Sequence, residues 1–350
     1  MFLPTLLMRD YGSAAWFIFA IPNVIGAAAM GWVLKSPESS ARLVAQHREA
    51  CLVFSYVTLS FHLYFIFWIA RDYLPYLAGP TIVALIVFVM LGRLGRVNVN
   101  ALLALVTSSV VIALWLYWGQ RMPQYQVRSD TLSLTGLASV CTLGFLTCPY
   151  LDLTFHHARQ SLGRRESRWA FSIGFGVFFL AMIVFTALYA PFFAGATFSD
   201  QNHDLLRKTL TLHIGVQIAL TIYLHFRQAV VLQGTSRGWL MFIVLPVVGT
   251  ALVKYGDTYN HFSAAELVYR LFMSCYGLIF PAYVWLCMLP RRDGSRPTRR
   301  DLLVLATVVI LVSPLYWIAF IEGKMAWMLP AVAGVLVARL FIRPVSTPAP

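Results

Sequence analysis

Apolar runs of about twenty residues, the length that spans a lipid bilayer as a helix, recur from one end of this 350-residue chain to the other. Eleven can be drawn, at roughly 13–35, 50–70, 77–93, 100–119, 133–155, 169–190, 208–226, 238–254, 263–289, 302–320 and 325–343. Charged residues make up 12% of the chain, about half the usual globular share. No stretch between the runs is long or polar enough for a separate soluble domain. The expected architecture is all-α: one polytopic membrane domain over residues 1–350 with about eleven transmembrane helices.

The net charge of +13 invites a nucleic-acid reading, but its distribution argues for topology instead. If the loops alternate sides, eighteen of the 27 Lys and Arg fall on one side and eight on the other, with Arg270 inside a run. The richer side carries Arg159, Arg164, Arg165 and Arg168 in one loop and Arg291 to Arg300 in another. By the positive-inside rule that side is cytoplasmic, so the N-terminus is outside and the C-terminus inside. The excess also attracts anionic head groups. The expected setting is a multi-pass protein of a bacterial-type inner membrane, with the lipid bilayer as a partner and no nucleic acid. Cys51, Cys141, Cys148, Cys275 and Cys287 lie in or beside apolar runs, which favours buried thiols over disulfides or a metal site. The N-terminus lacks the basic region and cleavage site of a signal peptide, so the first run is expected to persist.

The most informative stretch runs from Leu132 to Arg168. Its first half is apolar yet rich in small and polar residues, including Cys141, Thr142, Gly144, Thr147 and Cys148. Pro149 then removes a backbone N–H and disfavours helix at the residue before it, so a helix break is expected there. Broken helix at membrane depth is tolerated only where protein or a water-filled cavity serves the freed backbone. Pro22 marks a second expected break, in the first run, followed by Asn23 and the small series Gly26 to Gly31 that permits close helix contact. In the seventh run Thr209, His213, Gln217 and Thr221 recur every four residues, forming one polar stripe. The stripe reads equally as interhelical glue or as a cavity wall. Glu266 and Arg270, one turn apart, read as an ion pair, and His62 as a hydrogen-bonded core histidine. His225 reads as snorkelling to water, residues 35–49 as a connector with a short surface helix, and the PVSTPAP tail as disordered.

Two stretches resemble a family. GFLTCPYLDLTFHHARQSLGRRESRWAFSIGF is similar to the region of sodium:solute symporters in which a broken helix exits through a proline into an arginine-rich cytoplasmic loop. YGSAAWFIFAIPNVIGAAAMGWVLKSPESSARL resembles that family's second and third core helices. The resemblance implies a leucine-transporter-like bundle of inverted repeats, with solute and sodium bound between broken helices. Inverted mates must run antiparallel, whereas the first and fifth runs are parallel. Runs one to four (13–119) then correspond to core helices two to five, runs five to nine (133–289) to core helices six to ten, and residues 302–343 to two accessory helices. Core helix one is missing. The family's sodium site also needs an adjacent Ser/Thr pair that the seventh run lacks, so sodium, the only cofactor the resemblance implies, has two departures against it.

The leading expectation is a non-enzymatic, secondary-transporter-like protein that binds a small neutral or zwitterionic solute near mid-membrane. Its candidate wall is Asn23, Cys141, Thr142, Gly144, Thr147, Cys148, His213, Gln217 and Thr221. Scarce mid-membrane charge argues against a strongly ionic solute. The alternative is a non-transporting scaffold or regulatory subunit, with a membrane partner supplying the missing helix. A haem or redox role would need paired histidines at matched depth, such as His62 with His213.

Overall fold

A lipid-embedded segment must bond every N–H and C=O within itself, so helix is the element each apolar run can form unaided. The computed structural model describes residues 2–117, 129–193, 200–255, 263–291 and 295–342, and among these there is no strand. The helices are α1 (Leu3–Tyr11), α2 (Ser13–Val33), α3 (Pro37–Gln46), α4 (Arg48–Asp72), α5 (Ala78–Arg93), α6 (Val97–Tyr117), α7 (Thr131–Thr147) and α8 (Leu153–Gln160). They continue as α9 (Arg164–Ile173), α10 (Leu180–Phe193), α11 (Asp200–Val231), α12 (Ser236–Tyr255), α13 (Ala264–Ser274), α14 (Phe280–Tyr283), α15 (Arg299–Tyr316) and α16 (Met328–Val337). Among the described residues, eight helical stretches are long and apolar enough to cross a membrane. Ala78–Arg93, Gly238–Lys254 and Met325–Phe341 are apolar but shorter. The protein is a multi-pass, all-helical membrane protein. The PVSTPAP tail lies outside the described residues.

The chain divides into two compact units, one of Met1–Trp16, Ser55–Arg128 and Val177–Gly256, the other of Phe17–Phe54, Ser129–Gly176 and Asp257–Pro350. In the first unit α11 packs along α5 and α6 through Ala84, Phe88, Ala104, Val216, Ala219 and Tyr223. Two polar ties lock the group: the Asn100 amide donates to the Phe88 carbonyl (3.0 Å) and Gln217 Nε2 to Ser108 Oγ (2.7 Å). At another corner Phe2 stands edge-on to Trp68 and Phe193, with ring centroids 5.1 and 5.0 Å apart. His225 departs from expectation. It is buried, with Nδ1 3.3 Å from Ser55 Oγ, because α4 covers it before it can reach water.

In the second unit the small series of α2 does what its composition suggests. Gly26 lies against the Phe145 carbonyl of α7, and Gly31 against Phe171 and the Ser167 carbonyl of α9, leaving no room for a Cβ at either place. Pro22, expected to break the first run, does not. α2 passes through it without interruption, since one absent N–H costs a single intrahelical bond and the apolar turns on either side persist. The connector after α2 forms the expected short helix, α3, started by a Ser36–Ser39 capping box and Pro37 in the first turn. Arg270 binds Glu266 Oε1 through Nη2 (2.8 Å) and also reaches the Phe320 carbonyl (2.9 Å), so the expected ion pair is buried and tied to a second segment.

Candidate functional site

Two interruptions in helical backbone meet inside the second unit, and each traces to a proline. α7 ends at Thr147, and Cys148–Leu151 tightens into a 3₁₀ turn carrying Pro149. Asp152 restarts the chain as α8, its carboxylate accepting from the Thr154 N–H (2.8 Å) and hydroxyl (2.7 Å). The break predicted at Pro149 is therefore present.

The second interruption follows α13. Cys275–Ile279 widens into a π turn, in which the Phe280 N–H reaches back to the Cys275 carbonyl instead of Tyr276. Pro281 has no N–H to offer either Tyr276 or Gly277. Two carbonyls of this turn have side-chain partners. Cys148 Sγ lies 3.3 Å from the Tyr276 oxygen, and the Tyr316 hydroxyl donates to the Gly277 oxygen at 2.7 Å. The Phe54 ring covers the seam, 5.6 Å from Tyr276 and 5.0 Å from Phe280. Gly144 permits the approach, since a Cβ there would stand 3.0 Å from the same Tyr276 oxygen. A second π turn, Val284–Met288, follows within one helical turn.

Beyond the break lies a cavity of about 180 Å³, whose lining includes Lys35, Ser39, Arg42, Gln46, Tyr150 and Met288. Its walls are fixed by two buried polar side chains of α8. Arg159 is 1% exposed and fans its guanidinium over three carbonyls, Leu34 (2.6 Å), Lys35 (2.9 Å) and Leu162 (2.9 Å). Two of these belong to the residues directly after α2, so Arg159 ties down the exit of that helix. His156 Nε2 donates to the Tyr150 carbonyl (2.9 Å), which leaves Nδ1 to accept from Ser40 Oγ (2.8 Å). This pairing requires the neutral ring, and burial lowers its pKa in the same direction.

The sequence-predicted wall is distributed across both units. Cys141, Gly144, Thr147 and Cys148 are buried residues of the second unit, with Gly144 and Cys148 at the seam itself. Thr147 donates to the Leu143 carbonyl of its own helix (2.6 Å). Thr142 is exposed and Asn23 half-buried, and neither side chain has a hydrogen-bond partner among the described residues. His213, Gln217 and Thr221 belong to the first unit. There Gln217 binds Ser108, Thr221 donates to the Gln217 carbonyl (3.0 Å) and His213 packs edge-on to Phe185 (5.0 Å). Thr209, from the same stripe, accepts from Trp115 Nε1 (3.1 Å). Thr209, His213 and Gln217 of the stripe make interhelical contacts, and Thr221 bonds within its own helix. Tyr276, Gly277, Pro281 and Tyr316 escape the sequence reading, although a proline within a twenty-residue apolar run was a visible signal for the first three. Tyr316 had none. Among the described residues no three His, Cys, Asp or Glu side chains gather closely enough to hold a metal ion. The chain matches no protein-family model, no curated protein and no solved structure.

Proposed function

We propose that the protein is a transporter-like solute-binding protein whose recognition site is the seam between the broken end of α7 and the π turn Cys275–Ile279. The carrying observation is that two carbonyls of this π turn, those of Tyr276 and Gly277, face the side chains of Cys148 and Tyr316. A thiol is a weak donor, so the Tyr276 oxygen can exchange Cys148 for an O–H or N–H of a solute at little cost. Carbonyl oxygens favour hydroxyl or ammonium groups, which suits a neutral or zwitterionic solute. The cavity beside Tyr150, with Lys35 and Arg42 in its lining, is the approach on the cytoplasmic side. This reading takes eleven spans with the N-terminus outside, and draws on the resemblance to sodium:solute symporters.

The test is thermal stability of the purified protein against a panel of amino acids, polyols and sugars, in sodium and in choline. At least one solute should raise the melting temperature. Gly144→Val, which fills the seam, should abolish that rise. No response in either salt would sink the reading. A scaffold or regulatory subunit is then the alternative, favoured by the fact that Gln217 and the Tyr276 and Gly277 carbonyls already have protein partners. A stoichiometric co-purifying membrane protein would support it.

A further inference from the structure

At the start of α9 three arginines stand together without a carboxylate. Arg164, Arg165 and Arg168 line a cavity of about 540 Å³ with Trp32, Trp169 and Ser172. None of the three forms an ion pair among the described residues, and Arg164 adds to the positive field at buried Arg159. At about 100° per residue, the arginines, Trp169 and Ser172 share one face of α9, and Glu166 projects away from it. The close packing of Gly31 on α9 sets Trp32 beside this face. Its indole N–H donates to Ser172 Oγ (3.2 Å), and the Arg168 guanidinium lies 4.5 Å from its ring centroid. The cluster is built, not a scatter of surface charge.

Its depth follows from length. The helical stretch Arg164–Phe193 has 30 residues, about 45 Å at 1.5 Å each, against a hydrocarbon core of about 30 Å. Its polar first turns therefore extend past the hydrocarbon. Trp32 and Trp169, 54% and 61% exposed, are the amphipathic rings expected at the head-group level. A cavity lined by guanidinium donors and apolar ring faces matches a lipid phosphate with its acyl chains.

We propose that this cavity binds the phosphate of an anionic phospholipid, held by Arg164, Arg165 and Arg168 against the Trp32 and Trp169 rings. Guanidinium forks suit phosphate oxygens, and the site needs no solute at the seam to operate. It is independent of the transport reading.

Native mass spectrometry of the full chain in mild nonionic detergent tests it, titrating phosphatidylglycerol and phosphatidylcholine of identical acyl chains. Phosphatidylglycerol should be retained preferentially. The R164Q/R165Q/R168Q variant should lose roughly 100-fold in phosphatidylglycerol affinity, at about a fivefold share per arginine, with phosphatidylcholine unaffected. Should the triple variant fail to insert, Arg168→Gln alone, which keeps two topogenic charges, should show the fivefold fall. Equal retention of the two lipids by the wild type, or unchanged phosphatidylglycerol affinity in either variant, overturns the proposal. Inorganic phosphate at millimolar concentration, matched in ionic strength with chloride, should not displace the lipid. Displacement would assign the cavity to a soluble phosphate compound and overturn the lipid source.

Discussion

Arg159 holds three carbonyls of the second unit with one buried side chain. It sits in a run of basic residues and reads in the sequence as one more cytoplasmic charge. The structure instead buries it on three carbonyls, two of them from the residues directly after α2. Arg159→Met leaves those acceptors without donors, so a loss of about 2–4 kcal/mol is expected, measured by denaturation in mild detergent. Arg159→Lys should recover little, because a single ammonium cannot fork to three oxygens. His156 adds a pH signature. Burial holds its folded pKa below the unfolded value of about 6.5. Its contribution is therefore complete above about pH 6.5 and is lost as the pH falls toward the folded value, since only the unfolded chain takes up the proton at first. The melting temperature of the wild type should fall through that window, and the step should vanish in His156→Gln.

At the scale of elements, prolines with the same chemistry have different outcomes. Pro22 leaves α2 continuous, Pro149 ends α7, and Pro281 accompanies a π turn. What separates them is what meets the freed backbone: Asp152 recaps the chain after Pro149, and Cys148 and Tyr316 serve the carbonyls before Pro281. Pro281→Ala restores one N–H and should shorten the π turn, withdrawing the Tyr276 oxygen from the seam. The expected result is an unchanged or raised melting temperature together with loss of the solute response. A retained solute response would detach that response from the π turn. Gly26→Leu forces a side chain onto the Phe145 carbonyl and should destabilise by about 1–3 kcal/mol, read from the same melts.

Over the whole molecule, the proposed orientation follows from the clustering of arginines on alternate loops. A C-terminal fluorescent-protein fusion should be bright and an N-terminal alkaline phosphatase fusion active. The reverse pattern would invert the sidedness assigned to the cavities at Tyr150 and Trp32. The apolar runs were legible because a bilayer leaves helix as the only self-sufficient choice, and among the described residues eight helical stretches are long and apolar enough to cross one, with three shorter apolar helices beside them. So was the break at Pro149, because a missing N–H is a local property. Partners across helices were not local. That Gln217 would meet Ser108, that Arg159 would hold the exit of α2, and that Tyr316 would bond the Gly277 oxygen depended on which faces came together. Helical periodicity tells which residues share a face of one helix. What that face touches is set by packing among segments from about forty to more than a hundred residues apart, and that only the tertiary structure decided.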